Sequence, residues 1–314
     1  MHFQLKNGNW PTMLTLYDEQ NQIDYKAMGQ LIDWYKANNM DGLFAVCQSS
    51  EMFFLSLEER VELARFVKER AGSEMQVIAS GHVADTLEEQ IKEIKEISET
   101  GIDAFVLVSN RLAKAGEPDE MLKHNVRVIL ETVPDVKFGI YECPYPYKRL
   151  VTPDLLKWLA DTGRFFFLKD TCCDIEQIKQ RIEAVQGTTL KLFNANSATL
   201  LASYHLGASG YSGVMANFHP HLYSWLHKNW RYQPNQAEKV QSFLGAASLY
   251  ELQQYPVNAK YNLQNEGLNN TLWSRSIDAG KFGELEKVGI EQLRTMTDII
   301  KENIFKPEKA LSKD

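Results

Sequence analysis

Long apolar runs are missing from this chain. Nowhere do about eighteen consecutive residues avoid charge and strong polarity, so no membrane-spanning helix is expected. Residues 1–10 pair no cationic start with an apolar stretch, so no secretory leader is expected either. Cysteine is scarce: the four are Cys47, Cys143, Cys172 and Cys173. None sit at zinc-ligand spacing, and a bridge between the neighbours Cys172 and Cys173 would be strained. Free thiols fit a reducing, cytoplasmic setting. Positive charge is in deficit, with 34 Lys and Arg against 41 Asp and Glu and a net charge of −7. A general nucleic-acid partner, which needs a basic face, is therefore disfavoured. There is no Gly-rich phosphate loop, no low-complexity tract and no Gly-, Ser- or Pro-rich linker.

What is present is a soluble-globular balance, 44% hydrophobic and 24% charged over 314 residues, enough for a large core without metal or disulfide staples. Short apolar runs alternate with amphipathic segments as far as about residue 230. Residues 12–17, 42–47, 76–80, 104–109, 137–142, 165–169, 190–194 and 210–214 read as eight strands. Their apolar stretches are nearly continuous, as parallel strands covered on both faces require. Helix starts are marked by Ser56 with Glu59, by Thr86 with Glu89, and by Thr152 before Pro153. Gly72, Gly101 and Gly163 lie at expected helix ends. Eight strands alternating with helices predict a TIM (β/α)8 barrel, with a doubly wound sheet as the competitor. Segments 236–252 and 283–302 carry helical periodicity, with loops around Pro256 and Asn269-Asn270. The expected organisation is a barrel over 1–230 and a C-terminal helical region, 231–314, packed on it.

In a barrel of this kind the chemistry sits where strands end at the C-terminal mouth. The sixth run, Phe165-Phe166-Phe167-Leu168, delivers Lys169 there. Partial burial lowers a lysine pKa and frees a neutral amine able to form an imine with a ketone. A lysine at a strand end also simply snorkels to water, so both readings stay open on this string alone. The fifth run ends in Tyr141, a candidate proton donor or acceptor, or a barrel-filling ring. The second runs into Gln48-Ser49-Ser50-Glu51, a polar turn whose hydroxyls and amides suit a carboxylate, or a plain solvated loop.

Taken in order, these segments resemble the dihydrodipicolinate synthase / N-acetylneuraminate lyase family of class I aldolases. Residues 46–56, VCQSSEMFFLS, resemble the family's G-T-T-G-E turn followed by L-S. QVIASG at 76–81 resembles P-V-I-A-G, and Tyr141-Glu142-Cys143-Pro144 resembles Y-N-x-P. Phe167-Leu168-Lys169-Asp170-Thr171 resembles G-[IL]-K-[DE]-[ST], and GASGYSGVMAN at 207–217 resembles the segment of the eighth strand. The resemblance runs from about residue 10 to 270. It implies that Lys169 forms a Schiff base with pyruvate or a related 2-keto acid and that Tyr141 is the acid/base. It further implies that Gln48, Ser49 and Ser50 bind the keto-acid carboxylate, and that Tyr211 and Ser212 line the pocket. It implies a homo-oligomer, dimer or tetramer, and an aldehyde as candidate co-substrate; no cofactor is implied, because the lysine supplies the electron sink.

The departures bear on substrate. The family's paired threonines are Gln48-Ser49 here, and its glycine before the glutamate is Ser50. The second tyrosine of the synthases is absent from Ser109-Asn110-Arg111-Leu112, which leaves their proton relay incomplete. Pro146 falls at their substrate-gripping arginine, leaving Lys148 or Arg149 as substitutes. Tyr145, Tyr147, Asn110, Arg111 and His82 are candidates for the mouth. A Schiff-base lyase, aldolase or synthase is the leading reading. The alternatives are 4-hydroxy-tetrahydrodipicolinate synthase proper, a silent keto-acid-binding barrel, and a metal hydrolase suggested by His219-Pro220-His221.

Overall fold

A computed structural model describes residues 3–305; the end of the expected C-terminal region, 306–314, lies outside them. Eight parallel strands are present: β1 Gly8–Asn9, β2 Gly42–Phe44, β3 Gln76–Ala79, β4 Ala104–Val108, β5 Phe138–Tyr141, β6 Phe165–Asp170, β7 Lys191–Asn194 and β8 Gly210–Tyr211. They follow the order β1-β8-β7-β6-β5-β4-β3-β2, and a parallel bridge between Thr12 and Phe44 joins the two ends into a barrel. The doubly wound alternative is thereby excluded.

The first strand corrects the expectation. It lies at Gly8–Asn9, and residues 12–17 carry only isolated bridges at Thr12 and Tyr17. The apolar run there is real, since Met13, Leu14, Leu16 and Tyr17 are all buried. Its side chains pack into the core without a ladder. A short apolar run reports burial before it reports strand pairing.

Helices α1 Tyr25–Ala37, α2 Leu57–Ala71, α3 Leu87–Ser98, α4 Ser109–Leu112, α5 Asp119–Thr132, α6 Pro153–Asp161, α7 Ile175–Ala184, α8 Leu200–Leu206 and α9 Pro220–Asn229 clothe the barrel. The caps follow the local chemistry. Ser56 and Glu59 form a reciprocal capping box, and Thr86 and Thr152 accept from the amides of Glu89 and Leu155. Three further helices follow: α10 Pro234–Ala247, α11 Val257–Asn265 and α12 Glu284–Phe305. A 3-10 turn, Ser248–Leu252, continues from α10 toward the barrel mouth. Among the described residues no helix is long and apolar enough to cross a membrane.

Inside the barrel, rings from several strands meet. Phe167 stacks on Phe193 with centroids 4.4 Å apart and lies against Trp10 and Phe44. Gly139 makes room for it. A Cβ there would come within 2.9 Å of the Phe167 Cβ. Two residues beyond an inward Phe167, strand alternation turns Lys169 inward as well.

Candidate active site at the barrel mouth

Lys169 and Tyr141 are register partners across the β5–β6 ladder, so neighbouring strands deliver both at one level. Lys169 Nζ stands 4.1 Å from the centre of the Tyr141 ring. Only 4% of Lys169 is exposed, and among the described residues Nζ has no hydrogen-bond partner and no ion pair. Burial pushes its pKa down; Cys47, Cys143 and Glu251 oppose that shift, and the charge of Lys148 adds to it. The two nearby thiols supply no counter-charge, because burial raises both, Cys143 to about 11. The amine is thus desolvated and unsatisfied, the state a nucleophilic lysine needs.

The Tyr141 hydroxyl donates to Gln48 Oε1 at 3.4 Å, and Cys143 Sγ donates to the same oxygen at 3.2 Å. Burial holds the phenol far above its ordinary pKa, with Cys143 and Cys47 adding to the effect.

The turn after β2 separates its members. Gln48 and Ser49 face a cavity of about 590 Å³ that Lys169 and Tyr141 also line. Ser49 Oγ donates to Thr12 Oγ1 at 3.1 Å. Ser50 does not reach the cavity, which corrects its assignment. Its hydroxyl accepts from the Cys47 amide and donates to the Cys47 carbonyl, at 2.6 and 2.8 Å, closing the turn internally. Left-handed backbone falls at Glu51, φ 62°, so Ser50 needs no glycine.

Tyr211 and Ser212 are likewise displaced from the expected role. Tyr211 is fully buried, stacked on Tyr223 with centroids 4.1 Å apart and bonded to Ser197. Ser212 is fully buried as well, and neither lines the cavity; Gly213 and Val214 do. A Cβ on Gly213 would strike the Tyr211 hydroxyl at 2.2 Å, so the wall can be only backbone there.

Of the other mouth candidates, Tyr145 and Lys148 reach the cavity. Tyr145 packs edge-on against Phe53, and Lys148 Nζ donates to the Thr171 carbonyl at 2.8 Å. The rest are structural. Asn110 Nδ2 donates to the carbonyls of Cys143, Tyr145 and Tyr147, and the Tyr147 hydroxyl donates back to the Asn110 carbonyl. Arg111 holds the carbonyls of Val83 and Ala84. Arg149 holds those of Lys114 and Glu117 and pairs with Asp119. His82 is buried between Gln90 and the Val108 amide. His219 stacks on Tyr223 and lines no part of the cavity, nor does His221.

Glu251, Tyr255, Ser276 and Ile277 complete the cavity from beyond the last strand. Their positions carry no strand-end signal, so the sequence reading had nothing to find them by. Thr171 and Asn196 also face it, each just past a strand, where that signal exists.

The fold and site define a TIM-barrel protein whose mouth cavity is built around a desolvated lysine and a protonated tyrosine. The comparisons give the family and the fold. The profile of the dihydrodipicolinate synthetase family matches residues 6–276, and the chain belongs to that family. It is 25% identical over 217 residues to the 4-hydroxy-tetrahydrodipicolinate synthase of Coxiella burnetii, covering 69% of this chain and 72% of that one. It is 26% identical over 215 residues to the synthase of Archaeoglobus fulgidus, covering 68% and 72%. Among solved structures it is similar to YagE, a prophage protein of the same family from E. coli K12 in complex with pyruvate. That match has a TM-score of 0.84 at 21% identity and covers 93% of this chain and 98% of the other. CdNal from Clostridium difficile in complex with mannosamine matches with a TM-score of 0.82 at 19% identity, covering 93% and 99%. At these identities the structural matches speak for the fold.

Proposed function

We propose that this protein is a Schiff-base-forming lyase, aldolase or synthase acting on pyruvate or a related 2-keto acid. The observation that carries this reading is the desolvated, unpaired Lys169 amine in register with Tyr141. Nζ attacks C2 of the keto acid, and the resulting carbinolamine loses its oxygen as water when Tyr141 supplies a proton from its phenol. Protonated, the imine draws electron density from C3, which allows a C–C bond there to form or break. Gln48 and Ser49, the residues of this turn that face the cavity, meet the carboxylate, the Ser49 hydroxyl turning from Thr12 to do so. Family membership and a pyruvate-bound fold relative support the choice of keto acid.

The activity named for the curated relatives, 4-hydroxy-tetrahydrodipicolinate synthase, is the second reading. Lys148 on the cavity wall favours it, as a point charge for a second carboxylate. The occupied Arg149 weighs against it, since no free guanidinium offers a bidentate grip there. Incubation with pyruvate, sodium borohydride reduction and peptide mapping test the main reading. The expected result is a pyruvate-sized adduct on Lys169 that is absent from Lys169→Ala. No adduct with pyruvate or any of a panel of 2-keto acids would overturn it. Adduct without turnover of any aldehyde would favour a silent binding barrel.

A further inference from the structure

A cavity of about 590 Å³ is far more than a molecule of pyruvate's size fills, which leaves room for a second reactant. Among the described residues, four charged side chains line it: Glu51, Lys148, Lys169 and Glu251. Two of them are already committed. Lys169 becomes the imine nitrogen. The Glu51 carboxylate is filled by Lys260, the Ser274 hydroxyl and the amides of Arg275 and Ser276.

Lys148 and Glu251 remain to meet the second reactant. Lys148 Nζ uses one of its donors on the Thr171 carbonyl at 2.8 Å. Glu251 lies in the 3-10 turn Ser248–Leu252, and among the described residues its half-buried carboxylate makes no hydrogen bond and no ion pair. The turn is anchored, since Asn258 of α11 donates to the Tyr250 carbonyl at 2.7 Å. The charges of Lys148 and Glu251 oppose one another at two points of the cavity wall, Lys169 and Cys173.

With the keto acid in place the cavity is in charge balance. A protonated imine and Lys148 are positive; the keto-acid carboxylate and Glu251 are negative. Burial raises the Glu251 pKa and the charge at Lys169 opposes that rise, so a positive imine nitrogen keeps the carboxyl ionised. An uncharged aldehyde preserves the balance, and a cationic one upsets it. An aldehyde with its own carboxylate adds a third negative charge to a partly desolvated space, and Arg149 is not free to meet it. Glu251 also loses hydrogen bonds to water when a reactant fills the cavity, unless that reactant brings an O–H.

We propose that Glu251 is a specificity-determining residue: its carboxylate turns away an aldehyde bearing a second carboxylate and accepts a hydrogen bond from a hydroxyl of an uncharged one. The assignment rests on the Schiff-base reading above and makes the co-substrate an uncharged hydroxyaldehyde.

The test compares kcat/KM for three four-carbon aldehydes offered with pyruvate: erythrose, butanal and succinic semialdehyde. The wild type is expected to rank them in that order, a result that needs no variant to fold. Glu251→Gln removes the charge and keeps an acceptor, so the preference for butanal over succinic semialdehyde should fall by about tenfold. Glu251→Leu removes the acceptor too, and the preference for erythrose over butanal should then fall by about tenfold. Ratios taken within one enzyme do not depend on how much of it is folded. A wild type that prefers succinic semialdehyde, or either ratio staying within about twofold of wild type, would overturn the assignment. Imine trapping on Lys169 without product from any of the three would do the same and leave the Schiff base standing. Failure of the wild type to trap pyruvate or other 2-keto acids would instead remove the imine, and the role of Glu251 with it.

Discussion

His82 is a polar ring committed to holding the barrel wall. Nε2 accepts from the Val108 amide at 2.6 Å and Nδ1 lies 2.9 Å from Gln90 Oε1, so the proton sits on Nδ1 and the ring is neutral. Burial pushes its pKa down to about 4. Because the folded value lies below the unfolded one of about 6.5, the unfolded chain binds the proton first as pH falls. The stability His82 contributes is therefore complete above about pH 6.5 and lost progressively toward pH 4. Between pH 7 and 4.5 that loss is about 2 kcal/mol. Urea denaturation at the two pH values should show a shallower loss in His82→Gln than in wild type; equal losses would refute the assignment. The same residue marks a limit of sequence reading. His82, Asn110, Arg111 and Tyr147 all follow strands, as Lys169 and Tyr141 nearly do, yet backbone groups capture them. Position at a strand end was legible. Which side chains the backbone would claim was not, because that depends on loops packed from elsewhere.

Strands β5 and β6 owe their alignment to both of their faces. Inside, Gly139 lets the Phe167 Cβ and carbonyl oxygen of the next strand come close. Outside, Glu142 and Asp170 converge on Arg181 of α7, with the Glu142–Arg181 contact at 2.7 Å and all three side chains buried. Glu142 also accepts from the amides of Val151 and Thr171, tying the loops after both strands to one carboxylate. Tyr141 and Lys169 each precede a member of this cluster by one residue. Arg181→Met would leave two buried carboxylates without a cation, at a cost of about 3–5 kcal/mol. Chemical denaturation measures that loss; a change under about 1 kcal/mol would mean the cluster is held without the arginine. The K-[DE] pattern marks Asp170 in the sequence, whereas Glu142 stands where Y-N-x-P has asparagine, and their partner on α7 lies outside any motif. The first strand failed for the opposite reason, since residues 12–17 have the composition of a strand and only the burial of one.

The C-terminal region lines the cavity through the segments between its helices, with Glu251 and Tyr255 before α11 and Ser276 and Ile277 after it. The barrel order was legible from alternation alone, whereas α11 was hidden because Pro256 reads as a loop signal, although here it caps the helix it precedes. From α11, Lys260 Nζ reaches Glu51 at 3.0 Å with both side chains buried. Glu51 Oε2 gathers Ser274 Oγ, Arg275 N and Ser276 N. One carboxylate thus fastens the Gln48–Ser49 turn of the barrel to the segment that supplies Ser276 to the cavity. Nearby, Arg275 grips Glu59 through two bonds of 2.8 Å, but this pair is partly exposed. The two links should differ sharply when cut. Glu59→Gln removes a screened pair worth under about 1 kcal/mol and should leave imine trapping unchanged. Lys260→Met strands a buried carboxylate, with an expected cost of about 3 kcal/mol or more. It should also raise the pyruvate concentration for half-maximal trapping by about tenfold, because the turn proposed to hold the keto-acid carboxylate loses its anchor while Lys169 itself is untouched. If Lys260→Met left half-saturation unchanged while lowering stability, the C-terminal helices would brace the barrel without shaping its mouth.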